Sequence, residues 1–272
     1  MCDLLRSQGK ATPIVLASSI QAVLENPYGV SKRQAEAVLA DYAAASGAPV
    51  LIYRLPNVFG KWCRPNYNSV VATFCHNIAR DLPITLNDPD RVLELVHIDD
   101  VVAAFGAELG AAAQPGVAYR SVAPVLQVTV GALAAQAHAF RQLRQTLRLP
   151  DMADLFTRKP YGVYLTCLDE GDFAYAMDKK CDPRGCLAEF IKGPSFGQVF
   201  ISRTVPGIAR GNHYHDTKTE KFLVVKGEAM IRFRHALRGD VLEYRASGQD
   251  FRVVDIPPAT PTRLRTSDRV NW

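Results

Sequence analysis

The chain has 272 residues, of which 48% are hydrophobic, and a formal net charge of +5. This length allows two domains with ordinary buried cores, and no apolar run approaches the roughly 18 residues of a membrane span. The basic residues are dispersed and form no helix-turn-helix pattern, which argues against a nucleic-acid partner. The start lacks a secretory signal and the six cysteines form no dense framework. We therefore expect a cytoplasmic protein with reduced thiols and no membrane partner.

The first part of the chain alternates strand-like and helical patterns. Residues 2–10 predict a short helix, and residues 13–17 are a short apolar run typical of a buried parallel strand. Ser19 follows this run. A strongly helical pattern covers residues 33–45, and a second strand is predicted over residues 50–55. This order indicates an α/β domain.

Tyr28 and Lys32 lie four residues apart just before the predicted long helix. If the helix begins near the tyrosine, the two side chains share one helix face, and an ammonium close to a phenol favours the phenolate. Such a phenol exchanges a proton with a carbonyl or hydroxyl, and the Ser19 hydroxyl would bind the same oxygen. The alternative is a tyrosine that packs on its helix and a lysine in water.

These features together resemble the extended short-chain dehydrogenase/reductase family, whose members are NAD-dependent epimerases and dehydratases. The matching segments are Asn26-Pro-Tyr-Gly-Val-Ser-Lys32, the helix after it, and Arg54-Leu-Pro-Asn-Val-Phe-Gly60. The resemblance implies a Rossmann-type fold, a nicotinamide cofactor and a nucleotide-sugar substrate. The residues that it makes catalytic are Ser19, Tyr28 and Lys32, and those that it places at the cofactor are Tyr28, Lys32 and Asn57.

The same resemblance places two further residues at the substrate. Arg54 belongs to the family's loop near the nicotinamide and the sugar. His97 lies in Leu95-Val-His-Ile-Asp-Asp-Val101, which matches the family's late junction between a strand and a helix. We expect Asp99 and Asp100 in this segment to cap the following helix.

The chain lacks the Gly-x-x-Gly-x-x-Gly turn with which this family binds the dinucleotide pyrophosphate. Only 18 residues precede Ser19, so we expect the chain to enter the fold at the helix before its fifth strand. A doubly wound sheet without its first four strands exposes an unpaired edge. We therefore expect a partial Rossmann-type domain with a substrate lobe over residues 1–168, which would hold NADPH weakly.

The pattern changes from helical to alternating near residues 168–172. Before this point, a strand is predicted over residues 125–130 and a helix over 131–147, with Thr129 as its N-cap, and further helices follow over 151–168. After it, the predicted strands cover residues 187–191, 197–202, 229–234 and 251–256. Short strands separated by turns favour an all-β domain over residues 169–272.

His213 and His215 lie two residues apart, so on an extended strand both imidazoles leave the same face. A turn over residues 216–219 could bring Glu220 back beside the two rings. Two imidazoles and a carboxylate suit Zn²⁺, Fe²⁺ or Mn²⁺ and leave one coordination position open. The alternative is a pair of solvated histidines on a hairpin.

With Gly207 and Gly227, this spacing resembles the first metal motif of the cupins, which are double-stranded β-barrel proteins. The resemblance implies that the second domain is a cupin and that it holds a divalent metal, with Zn as the expected ion. Its metal ligands would be His213, His215 and Glu220. The second cupin motif is Pro-x-Gly-x-x-His, but here Ala259 stands for the glycine and Thr262 for the histidine.

The carboxyl end suggests a reason for that difference. The codons GGC TAC ACC CAC encode Gly-Tyr-Thr-His, and deletion of the first G leaves codons that read Ala-Thr-Pro-Thr, the residues at 259–262. We hypothesise a frameshift of one nucleotide. The residues after Pro258 show no strand alternation, so we expect the cupin domain to be incomplete at this end.

The two signatures in one chain resemble the CapF-type family of bifunctional capsular-polysaccharide enzymes, over residues 2–258. In that family, NADPH-dependent reduction at C4 of a UDP-linked 2-acetamido-2,6-dideoxy-4-keto hexose is coupled to metal-assisted epimerisation at C3 by the cupin domain. The resemblance implies a homodimer and makes Asn66 and Asn68 ligands of the sugar nucleotide. We expect this copy to be impaired. The alternative is a non-catalytic metal- or sugar-binding cupin module with a vestigial reductase remnant.

Overall fold

The computed structural model describes residues 1–110, 114–234 and 239–266. The chain divides into two compact units, Met1–Tyr175 and Ala176–Trp272. The first unit contains helices and strands, and the second contains strands. No helix in the described part of the chain is both long and apolar enough to cross a lipid bilayer.

In the first unit, helices and strands alternate over much of the chain. The helices are α1 (Cys2–Ser7), α2 (Pro27–Ser46), α3 (Val70–Ala79), α4 (Ile98–Leu109), α5 (Val130–Thr146) and α6 (Leu155–Thr166). The strands are β1 (Ile14–Ser19), β2 (Pro49–Leu55), β3 (Asn57–Phe59), β4 (Val92–His97), β5 (Gly116–Arg120) and β6 (Leu126–Thr129). A short 3₁₀ helix, Ile20–Val23, follows β1 directly.

Two three-stranded sheets organise this unit. One has the order β1-β2-β5 with all strands parallel, and the other has the order β3-β4-β6, in which β6 is antiparallel to β4. Ile52 and Tyr53 in the middle strand β2 lie on opposite faces of the sheet and both are buried, as expected for a parallel strand that is covered on both faces. The register pairs Ser19 with Leu55, so β1 and β2 end at the same edge of the sheet.

Helix α2 begins earlier than its apolar pattern predicts, because its start is set by capping residues. The Asn26 side chain accepts a hydrogen bond from the Gly29 backbone N–H at 2.7 Å, and Pro27 occupies the first helical position. Both residue types favour a helix start, since an N-cap oxygen satisfies a free N–H and proline needs no N–H partner there. The helix ends at Ser46 and is followed by Gly47 as its C-cap, which has a positive φ of 68°. Tyr28 therefore lies in the first helical turn.

The helices in the later part of this unit pack into a separate core around α3, α5 and α6. Thr129 caps α5 as predicted, because its side chain accepts a hydrogen bond from the Ala132 N–H at 3.1 Å. Buried residues of the three helices meet in this core, among them Phe74, Leu133, Phe140 and Val163. The helical patterns predicted over residues 131–147 and 151–168 correspond to α5 and α6.

The second unit is built from antiparallel strands. They are β7 (Lys179–Asp182), β8 (Gly185–Gly193), β9 (Gly197–Thr204), β10 (Ala209–His213), β11 (Glu220–Leu223), β12 (Glu228–Arg234), β13 (Val241–Ser247), β14 (Val253–Ile256) and β15 (Thr262–Thr266). The sheet orders are β7-β8-β9, β10-β15-β12-β13 and β11-β14. Ile231, Phe233 and Ala246 from one sheet share a core with Val254 and Ile256 from another.

Two expectations about this unit are wrong. Cys181 and Cys186 lie opposite each other in the β7–β8 hairpin and form a disulfide, whereas we expected reduced thiols throughout. A strand also follows Pro258, because Thr262–Thr266 forms β15 and pairs with both β10 and β12. The remaining residues of the proposed frameshifted segment, 267–272, lie outside the described residues.

Candidate catalytic and metal-binding residues

The structure brings Tyr28 and Lys32 together on consecutive turns of α2. The Lys32 Nζ atom lies 5.6 Å from the centre of the Tyr28 ring, and Tyr28 is 50% exposed. Lys32 also donates a hydrogen bond to the backbone carbonyl of Ala17 at 3.3 Å. An ammonium is therefore held beside an accessible phenol and is tied to the end of strand β1.

Ser19 ends β1 and caps the 3₁₀ helix that follows it. Its Oγ accepts a hydrogen bond from the Gln21 N–H at 3.1 Å. The first turn of α2 packs on this 3₁₀ helix so closely that a Cβ on Gly29 would lie 2.2 Å from the Gln21 carbonyl oxygen. Only glycine permits this approach. Because Gly29 is next to Tyr28 in the chain, this contact brings the turn that carries the phenol against the 3₁₀ helix that Ser19 caps.

Arg54 binds a carboxylate of its own protein. Its Nε and Nη2 atoms donate to the two oxygens of Glu36 at 3.0 and 2.6 Å, and its guanidinium lies 4.7 Å from the centre of the Tyr119 ring. The hydrogen bonds with Glu36 raise the pKa of Arg54. The predicted role of Arg54 as a substrate ligand receives no support from this placement, because the guanidinium already has a bidentate partner.

His97 is buried, with 4% of its surface exposed. Its Nδ1 accepts a hydrogen bond from the Asp99 N–H at 3.2 Å, so His97 caps α4. The expectation that Asp99 and Asp100 provide the cap is wrong: these residues occupy the first helical turn and pair with Lys61 and Lys159. Burial lowers the pKa of His97. Its burial and its capping bond do not support the predicted contact with substrate.

The three predicted asparagines lie at the surface. The Asn57 side chain donates a hydrogen bond to the Glu94 carbonyl at 3.2 Å. Asn66 has a positive φ of 53°, and its backbone N–H donates to the Thr73 hydroxyl at 2.9 Å. Asn57, Asn66 and Asn68 are exposed, so their predicted contacts with cofactor and sugar nucleotide stay predictions.

The structure places His213, His215 and Glu220 close to one another in the second unit. Strand β10 ends at His213, so His215 lies beyond the strand, and a register shift at Asn212 precedes them. The expectation that both imidazoles lie on one strand is therefore wrong. The centres of the two rings are nevertheless 5.0 Å apart, and the following turn brings Glu220 Oε1 to 3.6 Å from His215 Nε2.

These donors fit a divalent metal in kind but not in arrangement. Two imidazoles and a carboxylate are common zinc ligands. Nevertheless, across residues 1–110, 114–234 and 239–266, no group of three or more His, Cys, Asp or Glu side chains is arranged to hold a metal ion. We therefore derive no chemical step from a metal at this position.

The segment that matches the second cupin motif lies against the first. The Ala259 N–H donates a hydrogen bond to the His215 carbonyl at 2.7 Å, and Thr262 pairs with His213 across strands β15 and β10. Ala259 has a positive φ of 56°, a conformation that favours glycine. The backbone at Ala259 thus has a conformation that suits the glycine of the motif. Opposite His213, however, Thr262 offers a hydroxyl in place of the imidazole of the motif.

Similarity to protein families divides along the same line as the two units. Residues 9–119 match the NAD dependent epimerase/dehydratase family, and residues 180–265 match the polysaccharide biosynthesis C-terminal domain. The first match spans β1, β2, β5 and α2, which carry the serine, the tyrosine and the lysine. The second spans the segment that carries His213, His215 and Glu220.

Relatives match nearly the whole chain. It is 44% identical over 273 aligned residues to a Pseudomonas aeruginosa protein named UDP-2-acetamido-2,6-beta-L-arabino-hexul-4-ose reductase. The alignment covers 99% of this chain and 73% of the relative. A crystal structure of the capsular polysaccharide assembling protein CapF from Staphylococcus aureus superposes with a TM-score of 0.91 at 44% identity, over 98% of this chain and 73% of CapF. CapF bound to the inhibitor 3-isopropenyl-tropolone gives a TM-score of 0.86 at 41% identity, over 97% of this chain and 74% of that one. The chain therefore belongs to the CapF family of polysaccharide-biosynthesis enzymes, with an NAD-dependent epimerase/dehydratase domain followed by a polysaccharide-biosynthesis C-terminal domain.

Proposed function

We propose that the first unit reduces the C4 ketone of a UDP-linked 2-acetamido-2,6-dideoxy-4-keto hexose, with NADPH as the cofactor. The observation that carries this proposal is the 44% identity, over 99% of the chain, with a protein named as a reductase of such a sugar. The position of Lys32 beside the exposed Tyr28 phenol supports it.

In the proposed reaction, bound NADPH supplies a hydride for C4 of the sugar. Tyr28 donates its phenolic proton to the C4 oxygen, so the ketone becomes a hydroxyl. Lys32 stabilises the phenolate that remains, because its ammonium lies within 5.6 Å of the ring centre. Ser19 donates a hydrogen bond to the same C4 oxygen and orients the ketone.

The residues present fit the reactive end of the cofactor. Tyr28 and Lys32 project from the start of α2, beside the edge of the parallel sheet at which β1 and β2 end, and ligands of α/β proteins bind at this edge. A lysine there suits the hydroxyl groups of the nicotinamide ribose. The sequence contains no Gly-x-x-Gly-x-x-Gly turn, so the pyrophosphate is not assigned to any residue of this chain.

For the second unit, the proposal is a cupin barrel that takes part in epimerisation at C3, with no chemical step assigned to a metal. Its support is the sequence motif and the close approach of His213, His215 and Glu220. A C4 ketone makes the C3 proton more acidic, which gives such an epimerisation a chemical basis. The reduction at C4 does not depend on this second proposal, nor on the expected homodimer.

The test is NADPH oxidation by the purified chain with the UDP-linked 4-keto sugar, measured as the loss of NADPH absorbance. We expect turnover with this sugar and none with a UDP-N-acetylhexosamine that has a C4 hydroxyl instead of the ketone. Zinc uptake without any turnover would instead favour the non-catalytic cupin module. Absence of turnover with every UDP-4-keto sugar tried would overturn the proposed reduction.

A further inference from the structure

Glu36 is a buried carboxylate in the middle of α2. Its residue surface is 4% exposed, and its oxygens accept hydrogen bonds from the Ser18 hydroxyl, from Nε and Nη2 of Arg54, and from the Tyr119 hydroxyl at 3.2 Å. These partners lie on β1, β2 and β5, the three strands of the parallel sheet. One carboxylate thus joins the helix to each strand of this sheet.

Glu36 lies on the same stripe of α2 as two predicted catalytic residues. Tyr28, Lys32 and Glu36 are spaced four residues apart, so they follow one another along one face of the helix. Lys32 donates to the backbone carbonyl of Ala17, and Glu36 accepts from the side chain of Ser18. Consecutive turns of the helix are therefore hydrogen-bonded to Ala17 and Ser18, the two residues of β1 that precede Ser19.

The chemistry of this contact favours a single arrangement. A buried carboxylate is costly unless it is paired and hydrogen-bonded, and Glu36 has partners on three strands. A slide of α2 along the sheet by one turn would separate the carboxylate from Arg54 and Ser18 and leave both the anion and the guanidinium without their partners. The network therefore holds the helix at one axial position.

We propose that Glu36 is a positioning residue, which fixes α2 against the end of β1 so that Tyr28 and Lys32 are held in place relative to Ser19. This inference rests on the proposed reduction, for which those residues are the reacting and orienting groups. The hydrogen-bond partners of the Glu36 oxygens are side chains of the protein itself. Glu36 acts through Arg54 and Ser18 on the position of the helix.

The test compares Glu36→Gln with a matched control, Glu108→Gln. Glu108 is a second largely buried carboxylate of the same unit, and it also pairs with an arginine and a tyrosine, Arg120 and Tyr53. Two measurements are made on each variant: amide hydrogen exchange, read by mass spectrometry on a peptide covering residues 20–32, and steady-state kinetics with NADPH and the UDP-4-keto sugar. Melting temperatures of both variants show whether general destabilisation is similar.

For Glu36→Gln we expect exchange in residues 20–32 to be about tenfold faster, since the helix start is released locally. We expect kcat to fall by about tenfold or more while KM for the sugar stays within about twofold, because misplaced catalytic groups slow the reaction more than they weaken binding. Glu108→Gln should leave the exchange rate of residues 20–32 and kcat near those of the parent protein.

Equal exchange in residues 20–32 for the two variants would overturn the inference, as would an equal fall in kcat. If the parent chain shows no turnover, the proposed reduction fails. In that case the exchange measurement still decides whether Glu36 holds the segment from Ser19 to Lys32. The two failures are therefore distinguishable.

Discussion

His213 and Thr262 face each other across the antiparallel strands β10 and β15. Side chains that are directly opposite in such a pair have Cβ atoms about 5 Å apart, so an imidazole at position 262 would lie within reach of an ion bound by His213. The incomplete metal arrangement of the second unit can therefore be tested by restoring one side chain.

We expect Thr262→His to bind Zn²⁺ about 10- to 100-fold more tightly than the parent chain. Dissociation constants from competition with a chromophoric chelator measure this. The matched control is Thr266→His, on the same face of the same strand but four residues further along. Equal affinity in the parent chain and both variants would show that His213 and His215 are not ligands.

Tyr28→Phe removes the phenolic hydroxyl and keeps the ring beside Lys32. Loss of a general acid typically lowers kcat by about 10²- to 10⁴-fold, and we expect a fall in this range with the UDP-4-keto sugar. The melting temperature should be unchanged, because Tyr28 is half exposed. Tyr175→Phe, at another partly exposed tyrosine of the same unit, should retain full activity. A Tyr28→Phe variant with the parent kcat would remove Tyr28 from the mechanism.

Ala259→Gly should stabilise the second unit. A left-handed backbone costs a non-glycine residue about 1–2 kcal/mol, and glycine removes this cost. Glycine also has a larger entropy in the unfolded chain, which offsets part of the stabilisation. We expect a net gain of about 0.5–1 kcal/mol in the free energy of unfolding. Amide exchange of strand β12 in increasing urea measures it.

The control for that experiment is Ala229→Gly. Ala229 is a buried residue of β12, and its φ is not positive, so there is no left-handed strain to relieve. This variant should lose about 0.5–1 kcal/mol. A loss of stability in both variants would show that the backbone at residue 259 is not strained.

The stability of the first unit should decrease in acid through Glu36. Its hydrogen bonds with Arg54, and then with Ser18, hold the pKa of this carboxyl below its usual value despite the opposing effect of burial. The stabilisation is complete above the pKa of the unfolded chain, about 4.3, and is lost as the pH falls through the lower pKa of the folded state. Urea unfolding of the first unit between about pH 5 and pH 3 should therefore show a steeper decline in the parent chain than in Glu36→Gln. Equal slopes would contradict this assignment.

Much of the α/β unit follows from local sequence signals. The apolar run at residues 13–17 and the segment 50–55 became β1 and β2, and the Thr129 cap was identified from its position before a helical pattern. The early start of α2 was missed because its first turn has few apolar residues. Asn26 followed by Pro27 is the signal that would have located it.

The partners of polar side chains were not predictable in the same way. Glu36 looks like an ordinary solvated residue in a helix, and only the sheet packed against α2 reveals that it binds Arg54. The partner of Arg54 was not predictable for the same reason, since a guanidinium near a substrate loop can face either the ligand or the protein. The spacing of charged residues along a chain does not determine these choices, because the pairing is tertiary.

Strand β15 was missed because its inward side chains are mostly polar. Thr262, Leu264 and Thr266 point to the core while Arg263 and Arg265 alternate with them, so two of the three inward positions are threonines and the hydrophobic alternation is weak. The disulfide was missed because Cys181 and Cys186 carry no recognisable spacing motif. Their contact depends on the register of the β7–β8 hairpin.

The place of β15 within its sheet determines when that sheet can be completed during translation. The strand lies between β10 and β12, although β10 and β12 are synthesised well before it. A nascent chain that has emerged only as far as β14 exposes an open backbone edge on β10, which chaperones or other nascent chains can pair with. The β12–β13 hairpin can pair without β15, but β10 joins this sheet only after residues 262–266 leave the ribosome.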